Sequence, residues 1–435
     1  MTLPPPDCAK PQWATSVLSN AYKLLLALVC TLSSSALLLN SPAAAKTAEK
    51  AELTLKQKKE AVLAADPETL RLVGGHVIVG YYAGWQLTPL LERGAIGGIF
   101  VTRRNSRRRS KQKLAAELTG FRELAKDKTT RPLWIATDQE GGLVAHMTPP
   151  LKRQPSLAQA IKRAKTDEDR RKIVQEFADK QAIGLAELSI NLNFAPVVDL
   201  KPKKRLRRDR RTHLIRRAIS REPDVVTQVA EDYCKALKTW RVLCTLKHFP
   251  GLEGVKADTH IKGASLTKSR EELESSDWVP FKKLTASTPA AMMIGHATLD
   301  AIDPKKPASL SKPVISGVLR KDWGYDGLII TDDLNMGAIT KQIGGFGKAA
   351  VKALNAGVDI VLLTQDAGGI YDVLYELIVA YDSGELSKDQ LAESRKRLEK
   401  HATRFSPKTM TWPDDLPVPV QAPRRQANAQ PSVAR

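Results

Sequence analysis

Aromatic residues are scarce in this 435-residue chain, at 5%, so a large core must rest on Leu, Val, Ile and Ala. Cysteine is scarcer still: Cys8, Cys30, Cys234 and Cys244 are too few for a scaffold built on disulfides. No His-x-x-x-His signature or cysteine cluster is present, so the sequence gives no sign of a metal site or of a cofactor. Negative charge is in deficit, with 47 Asp and Glu against 68 Lys and Arg, a net charge of +21. That balance suits an anionic neighbourhood such as nucleic acid, acidic lipid or an acidic polymer, or else a solvated basic face. The densest basic run, Arg103 to Lys113, has no interleaved aromatics on which bases could stack, which argues against nucleic acid.

What is present begins at the N-terminus. Lys23 precedes an apolar run from Leu24 to Leu39, followed by Asn40, Ser41, Pro42 and Ala43-Ala44-Ala45. A basic flank, a short apolar run and small residues form a secretory signal, with residues 1–45 removed and the protein exported to the periplasm or secreted. The run is shorter than the span of about 20 residues that a membrane helix needs, although an uncleaved anchor is the alternative. Cleavage after Ala45 leaves Cys234 in a helical pattern and Cys244 in a strand, where both read as core residues rather than as a disulfide. Residues 46–72 read as a leading helical segment and 406–435, rich in Pro, Gln and Arg, as a disordered tail.

Between them, residues 73–405 hold eight short β-branched runs: 76–82, 97–102, 133–140, 190–200, 242–250, 290–299, 327–334 and 359–366. Helical segments separate them. In Asp224–Trp240 the apolar residues Val225, Val226, Val229, Tyr233, Ala236, Leu237 and Trp240 form one stripe, and Lys348–Ala356 ends at Gly357. Eight strand–helix alternations predict an α/β fold, a closed (β/α)₈ barrel in a single catalytic domain. Polar residues gather at the C-terminal strand ends: Asp138 and Glu140, Asn193 and Asp199, Lys247 and His248, His296, Asp332 and Asp333, and Asp366. That rim is where barrel enzymes place their chemistry.

Two of these groups carry reactive side chains. Gly327-Leu-Ile-Ile-Thr-Asp332-Asp333 delivers adjacent carboxylates to the rim, and alternation allows only one of them to face a pocket. Lys247-His248-Phe249-Pro250-Gly251 is followed by Asp258-Thr259-His260, in which the Asp can accept from one ring nitrogen and leave the other to move a proton.

Taken in order, these motifs resemble glycoside hydrolase family 3, and within it the β-N-acetylhexosaminidase branch. Asp138-Gln-Glu-Gly-Gly142, Asn193-Phe-Ala-Pro-Val-Val-Asp199, Lys247-His-Phe-Pro-Gly251 with Asp258-Thr-His260, Pro307-Ala-Ser-Leu-Ser311 and Gly324–Leu334 each match a family signature. The resemblance implies a retaining exo-glycosidase acting on terminal β-linked N-acetylhexosamine, with Asp332 as nucleophile and His260, oriented by Asp258, as acid/base. It also implies that Asp138, Arg217, Lys247 and His248 hold the sugar, and that peptidoglycan fragments are a plausible source of substrate. Two departures stand out: Leu252-Glu253-Gly254 replaces the usual His-Gly, and Leu143 stands where many members have Arg. They bear on the closure of the His260 loop and on the preferred sugar. Alternatives are a phosphorylase, since a His acid/base does not repel phosphate, and a degenerate barrel that binds cell-wall glycan without cleaving it. The basic runs 103–113 and 201–216 are candidates for holding an anionic wall polymer.

Overall fold

The computed structural model describes residues 53–129, 131–204, 211–340, 343–365 and 368–406. The signal segment 1–45, Asp366 and the tail beyond Ser406 lie outside the described residues. The leading segment forms two helices, Leu55–Ala64 and Pro67–Gly74. Thr54 caps the first by accepting from the Gln57 amide, and Asp66 caps the second through the Thr69 amide.

Eight parallel strands follow: β1 (Val77–Gly80), β2 (Gly98–Phe100), β3 (Trp134–Thr137), β4 (Leu192–Asn193), β5 (Leu243–Phe249), β6 (Ala291–Ile294), β7 (Ile329–Asp333) and β8 (Ile360–Leu363). Each pairs with its neighbours in sequence, and β1 closes on β8 through Val77↔Val361, Ile78↔Leu362 and Val79↔Leu363. All eight predicted runs contain a barrel strand. Alternation sorts their side chains: Ile78, Phe100, Trp134, Leu192, Leu243 and Leu362 fill the barrel, while Val77, Val79, Ile99 and Leu246 pack outward under the helices.

The helices obey the sequence pattern. Pro223–Thr239 starts on a proline, as a first helical turn tolerates, and buries Val226, Val229, Tyr233, Ala236 and Leu237, while Val225 and Trp240 of the expected stripe are only half-buried. Phe346–Ala356 stops at Gly357, whose φ of 110° suits glycine. The last helix, Lys388–Arg404, plugs the N-terminal end of the barrel: Leu398, Ala402 and Phe405 join the inner cluster. There, fully buried Asp359 accepts from Arg397 at 2.9 Å and Arg320 at 2.6 Å. With that end sealed, the cavity can open only at the C-terminal strand ends.

One expectation is corrected. Cys234 and Cys244 are not free core thiols but a disulfide, with Cα atoms 5.4 Å apart. Both are buried as expected. The reason they meet lies in the αβ connection: the chain leaves the helix at Thr239 and enters β5 at Leu243, so the strand runs back along the helix it has just left. Ten residues of sequence separation thereby become a bonding distance.

Candidate active site

A cavity of about 410 Å³ opens at the C-terminal rim. Six of the seven residues singled out from sequence line it: Asp138, Arg217, Lys247, His248, His260 and Asp332. The seventh, Asp258, stands behind His260.

β3, β5 and the segment after β4 build one wall. Period-two alternation puts Asp138 and Glu140 on the same side, and both meet Lys247: Nζ lies 2.6 Å from Asp138 Oδ1 and 2.7 Å from Glu140 Oε1. Glu140 also takes a two-pronged contact from Arg217, with Nε to Oε2 at 3.0 Å and an NH2 contact to Oε1 at 2.6 Å. Burial opposes ionisation of Glu140, but the charges of Arg217 and Lys247 overcome it and hold the carboxyl down to about 2. Burial likewise works against the Lys247 ammonium, yet Asp138 and Glu140 raise it above its ordinary value. The wall is therefore a fixed lattice of charges, with donors and acceptors set for hydroxyl groups.

The Lys247–His248 peptide is cis, and both side chains line the cavity. His248 Nδ1–H donates to fully buried Asp199 at 2.7 Å, which turns Nε2 away from that carboxylate. The other Asp199 oxygen accepts from the Leu252 amide at 2.9 Å. Leu252, one of the departures from the family pattern, thus supplies a backbone donor and needs no side-chain chemistry to do it.

β7 carries the carboxylate pair. Both Asp332 and Asp333 line the cavity, so strict alternation fails here, where the β7–β8 register shifts between Ile330 and Asp333. Their surroundings still separate them. Asp333 is bound into the wall, accepting from the Thr364 amide at 3.0 Å, the Thr364 hydroxyl, and the Asn335 side-chain amide at 2.9 Å. Burial pushes its carboxyl up. Burial opposes ionisation of Asp332 as well, but His248, His296 and His260 pull its carboxyl below the usual range. Asp332 accepts from the Asp333 amide at 2.8 Å. It is an ionised carboxylate turned to the cavity.

His260 reaches the cavity from the loop after β5. Its Nδ1 lies 3.0 Å from Asp258 Oδ1 and 3.3 Å from the Thr212 hydroxyl. Asp258 is buried, which opposes its charge, but the Arg211 amide, His260 and the Thr212 hydroxyl hold its carboxyl below the ordinary value. The loop is docked by backbone: the Gly337 amide donates to the His260 carbonyl at 3.1 Å, and the Ala338 amide to the Thr259 carbonyl at 3.2 Å. A Cβ at Gly337 would stand 2.3 Å from the Ile261 carbonyl oxygen, so only glycine lets the loop come this close. The Leu252-Glu253-Gly254 departure therefore leaves the Asp258–His260 contact formed.

Sequence reasoning placed Glu140, Asp199 and His296 on the rim without giving them a part. The first two are the anions that fix Arg217, Lys247 and His248. The Asp138-x-Glu140 spacing was the available signal for Glu140. His296 donates from Nε2 to the Asp333 carbonyl at 3.0 Å and accepts from Ser309 at 2.7 Å. Both of its nitrogens are engaged, and burial pushes its imidazole down. Thr212 and Arg211, in the basic segment, carried no sequence signal. Among the described residues, no group of His, Cys, Asp and Glu is arranged to hold a metal ion.

The model of the glycosyl hydrolase family 3 N-terminal domain matches residues 83–400. The chain belongs to glycoside hydrolase family 3. Its sequence is 32% identical over 286 residues to the β-hexosaminidase of Tolumonas auensis, covering 66% of this chain and 80% of that protein. It is 29% identical to β-hexosaminidase A of Pseudoalteromonas piscicida, covering 74% of this chain and 55% of the relative. Among solved structures, the family 3 β-N-acetylglucosaminidase of Paenibacillus sp. superposes with a TM-score of 0.70 at 27% identity, over 83% of this chain and 66% of that one. A family 3 glycosyl hydrolase from Mycobacterium smegmatis gives 0.68 at 29%, over 78% and 98%.

Proposed function

We propose that this family 3 chain hydrolyses terminal β-linked N-acetylhexosamine, foremost N-acetylglucosamine, through a covalent intermediate on Asp332. The observation that carries the reading is Asp332 itself, a half-buried carboxylate held ionised among three histidines, with His260 on Asp258 across the same cavity. In the first step an Asp332 oxygen bonds to the anomeric carbon as the glycosidic C–O bond breaks, and protonated His260 gives its free-nitrogen proton to the leaving oxygen. In the second, His260 takes a proton from water, the water oxygen bonds to the anomeric carbon, and the Asp332 carboxylate departs. Asp258 keeps the ring in one orientation and stabilises its charged form. Asp138, Lys247, His248 and Arg217 grip the sugar. The naming of the relatives as β-hexosaminidases supports the choice of sugar.

A panel of aryl β-glycosides on purified protein tests this reading, with and without phosphate. Preference for the N-acetylglucosaminide, with turnover independent of phosphate, is expected. Turnover that requires phosphate would make it a phosphorylase, and binding without turnover a degenerate barrel.

The N-terminal signal pattern supports export. A structural disulfide supports it too, since such bonds persist in oxidising compartments. Peptidoglycan fragments then become an accessible substrate, and the basic runs become a means of holding the enzyme to an anionic wall polymer. Intact Met1 on extracytoplasmic material would remove the cleavage claim. Binding to wall fragments that ignores salt would remove the polymer claim.

A further inference from the structure

Behind the charged wall of the cavity runs a buried chain of residues, none of which lines the cavity itself. It starts on Gln139, between Asp138 and Glu140. Asn193 of β4 clamps the Gln139 backbone from both sides: the Gln139 amide donates to Asn193 Oδ1 at 2.9 Å, and Asn193 Nδ2 donates to the Gln139 carbonyl at 3.1 Å. The same Nδ2 donates to the Tyr233 hydroxyl at 2.8 Å. That hydroxyl in turn donates to Oε1 of Gln181, on the helix Asp167–Glu187, at 2.6 Å. None of the four residues is more than 1% exposed.

The order of donors along this chain is fixed. Burial holds the Tyr233 phenol above its ordinary value, so it keeps its proton, and the Gln181 oxygen accepts that O–H. The phenol oxygen is then left to accept from Asn193, which turns the Asn193 amide the one way that matches the Gln139 backbone. A reversed amide would set donor against donor and acceptor against acceptor on Gln139. A covalent bond holds the same place. Cys234, next to Tyr233, is bonded to Cys244, the residue of β5 that pairs with Asn193. The helix carrying Tyr233 is therefore pinned to the barrel at the level of the clamp.

We infer that Tyr233 is a positioning residue for sugar binding: acting through Asn193 and Gln139, it sets where Asp138 and Glu140 stand, and the Cys234–Cys244 bond fixes it for that task. The inference rests on the glycosidase reading above and adds to it residues that never touch the sugar. Asp138 and Glu140 hold Lys247, and Glu140 holds Arg217, so a shift of Gln139 moves four groups of the sugar-binding wall together.

Tyr233→Phe removes one hydroxyl and keeps the ring in the core. The test is steady-state kinetics on an aryl β-N-acetylglucosaminide with free N-acetylglucosamine as inhibitor, at a temperature where each variant is folded. In Tyr233→Phe, KM and the inhibition constant should rise together by about tenfold, the size of one buried hydrogen bond lost with its partners left unsatisfied, while kcat changes by less than about threefold. Gln181→Met and the double variant Cys234→Ala/Cys244→Ala keep the Tyr233 hydroxyl and should each give a smaller rise in the same direction. They carry the test if Tyr233→Phe does not fold. A purely structural role would lower the melting temperature and leave both constants at the wild-type value in folded protein. That result overturns the inference, and wild-type turnover keeps the glycosidase reading intact. Wild-type protein that neither cleaves the glycoside nor binds the sugar refutes that reading, and the inference with it.

Discussion

Glu140→Gln removes one buried anion from between two buried cations with almost no change in shape. Side-chain exposures are 7% for Glu140, 9% for Arg217 and 2% for Lys247, so water screens little of the loss. Lys247 keeps Asp138, and the charge left without a partner is therefore chiefly that of Arg217. Breaking a buried pair from one side costs about 3–5 kcal/mol, and the retained Asp138 places this case near the lower figure. Linkage gives a similar size: holding the carboxyl at about 2 instead of 4.5 corresponds to about 3 kcal/mol at neutral pH. The sign follows from the depressed value. This stability is present above the unfolded carboxyl's range near 4.5 and disappears as pH falls towards 2. Urea unfolding at pH 7 and at pH 3 reads both effects. The variant should lose about 3 kcal/mol at pH 7, and the gap to wild type should narrow in acid. Adding Arg217→Met should recover part of the loss. A loss below about 1 kcal/mol at pH 7, or a gap that does not change with pH, would refute the reasoning.

Further outcomes follow from the other groups. His260→Ala should cost about 10²–10⁴-fold on a natural disaccharide but far less in aryl release from a dinitrophenyl glycoside, giving a burst and then slow turnover; equal losses with no burst would mean that His260 holds the loop or the sugar. The acid limb of kcat/KM that reports Asp332 should fall below the ordinary carboxylate range, because its carboxyl is held down by the surrounding histidines, and a limb above pH 5 would contradict that. Replacing Cys234 and Cys244 together by Ala should cost about 2–3 kcal/mol in denaturant, as a short closed loop predicts, and thiol titration of the folded wild-type domain should find neither residue.

The barrel was legible because its period is written twice, once in eight β-branched runs and once in the helical stripes between them. The rim was legible because polar residues at the ends of apolar strands have no structural excuse in such number. What escaped depended on contacts between segments far apart or on local irregularity. The Cys234–Cys244 bond needs the helix and strand to run back on each other, which spacing alone does not reveal. The separation of Asp332 from Asp333 was expected from alternation. It arises instead from the hydrogen bonds of Thr364 and Asn335, since a register shift brings both carboxylates to the cavity. The charge lattice around Glu140 needs Arg217, 77 positions away, and no local pattern announces that pair.

The role proposed for Asp332 as nucleophile is open to direct measurement. The direct measurement is covalent trapping with an activated fluorinated N-acetylglucosaminyl substrate, followed by peptide mass analysis of the labelled protein. A glycosyl adduct on Asp332 is expected, lost in Asp332→Asn with the fold intact and retained in a folded Asp333→Asn variant. An adduct on Asp333, or turnover of the substrate by folded Asp332→Asn at the wild-type rate, would contradict it.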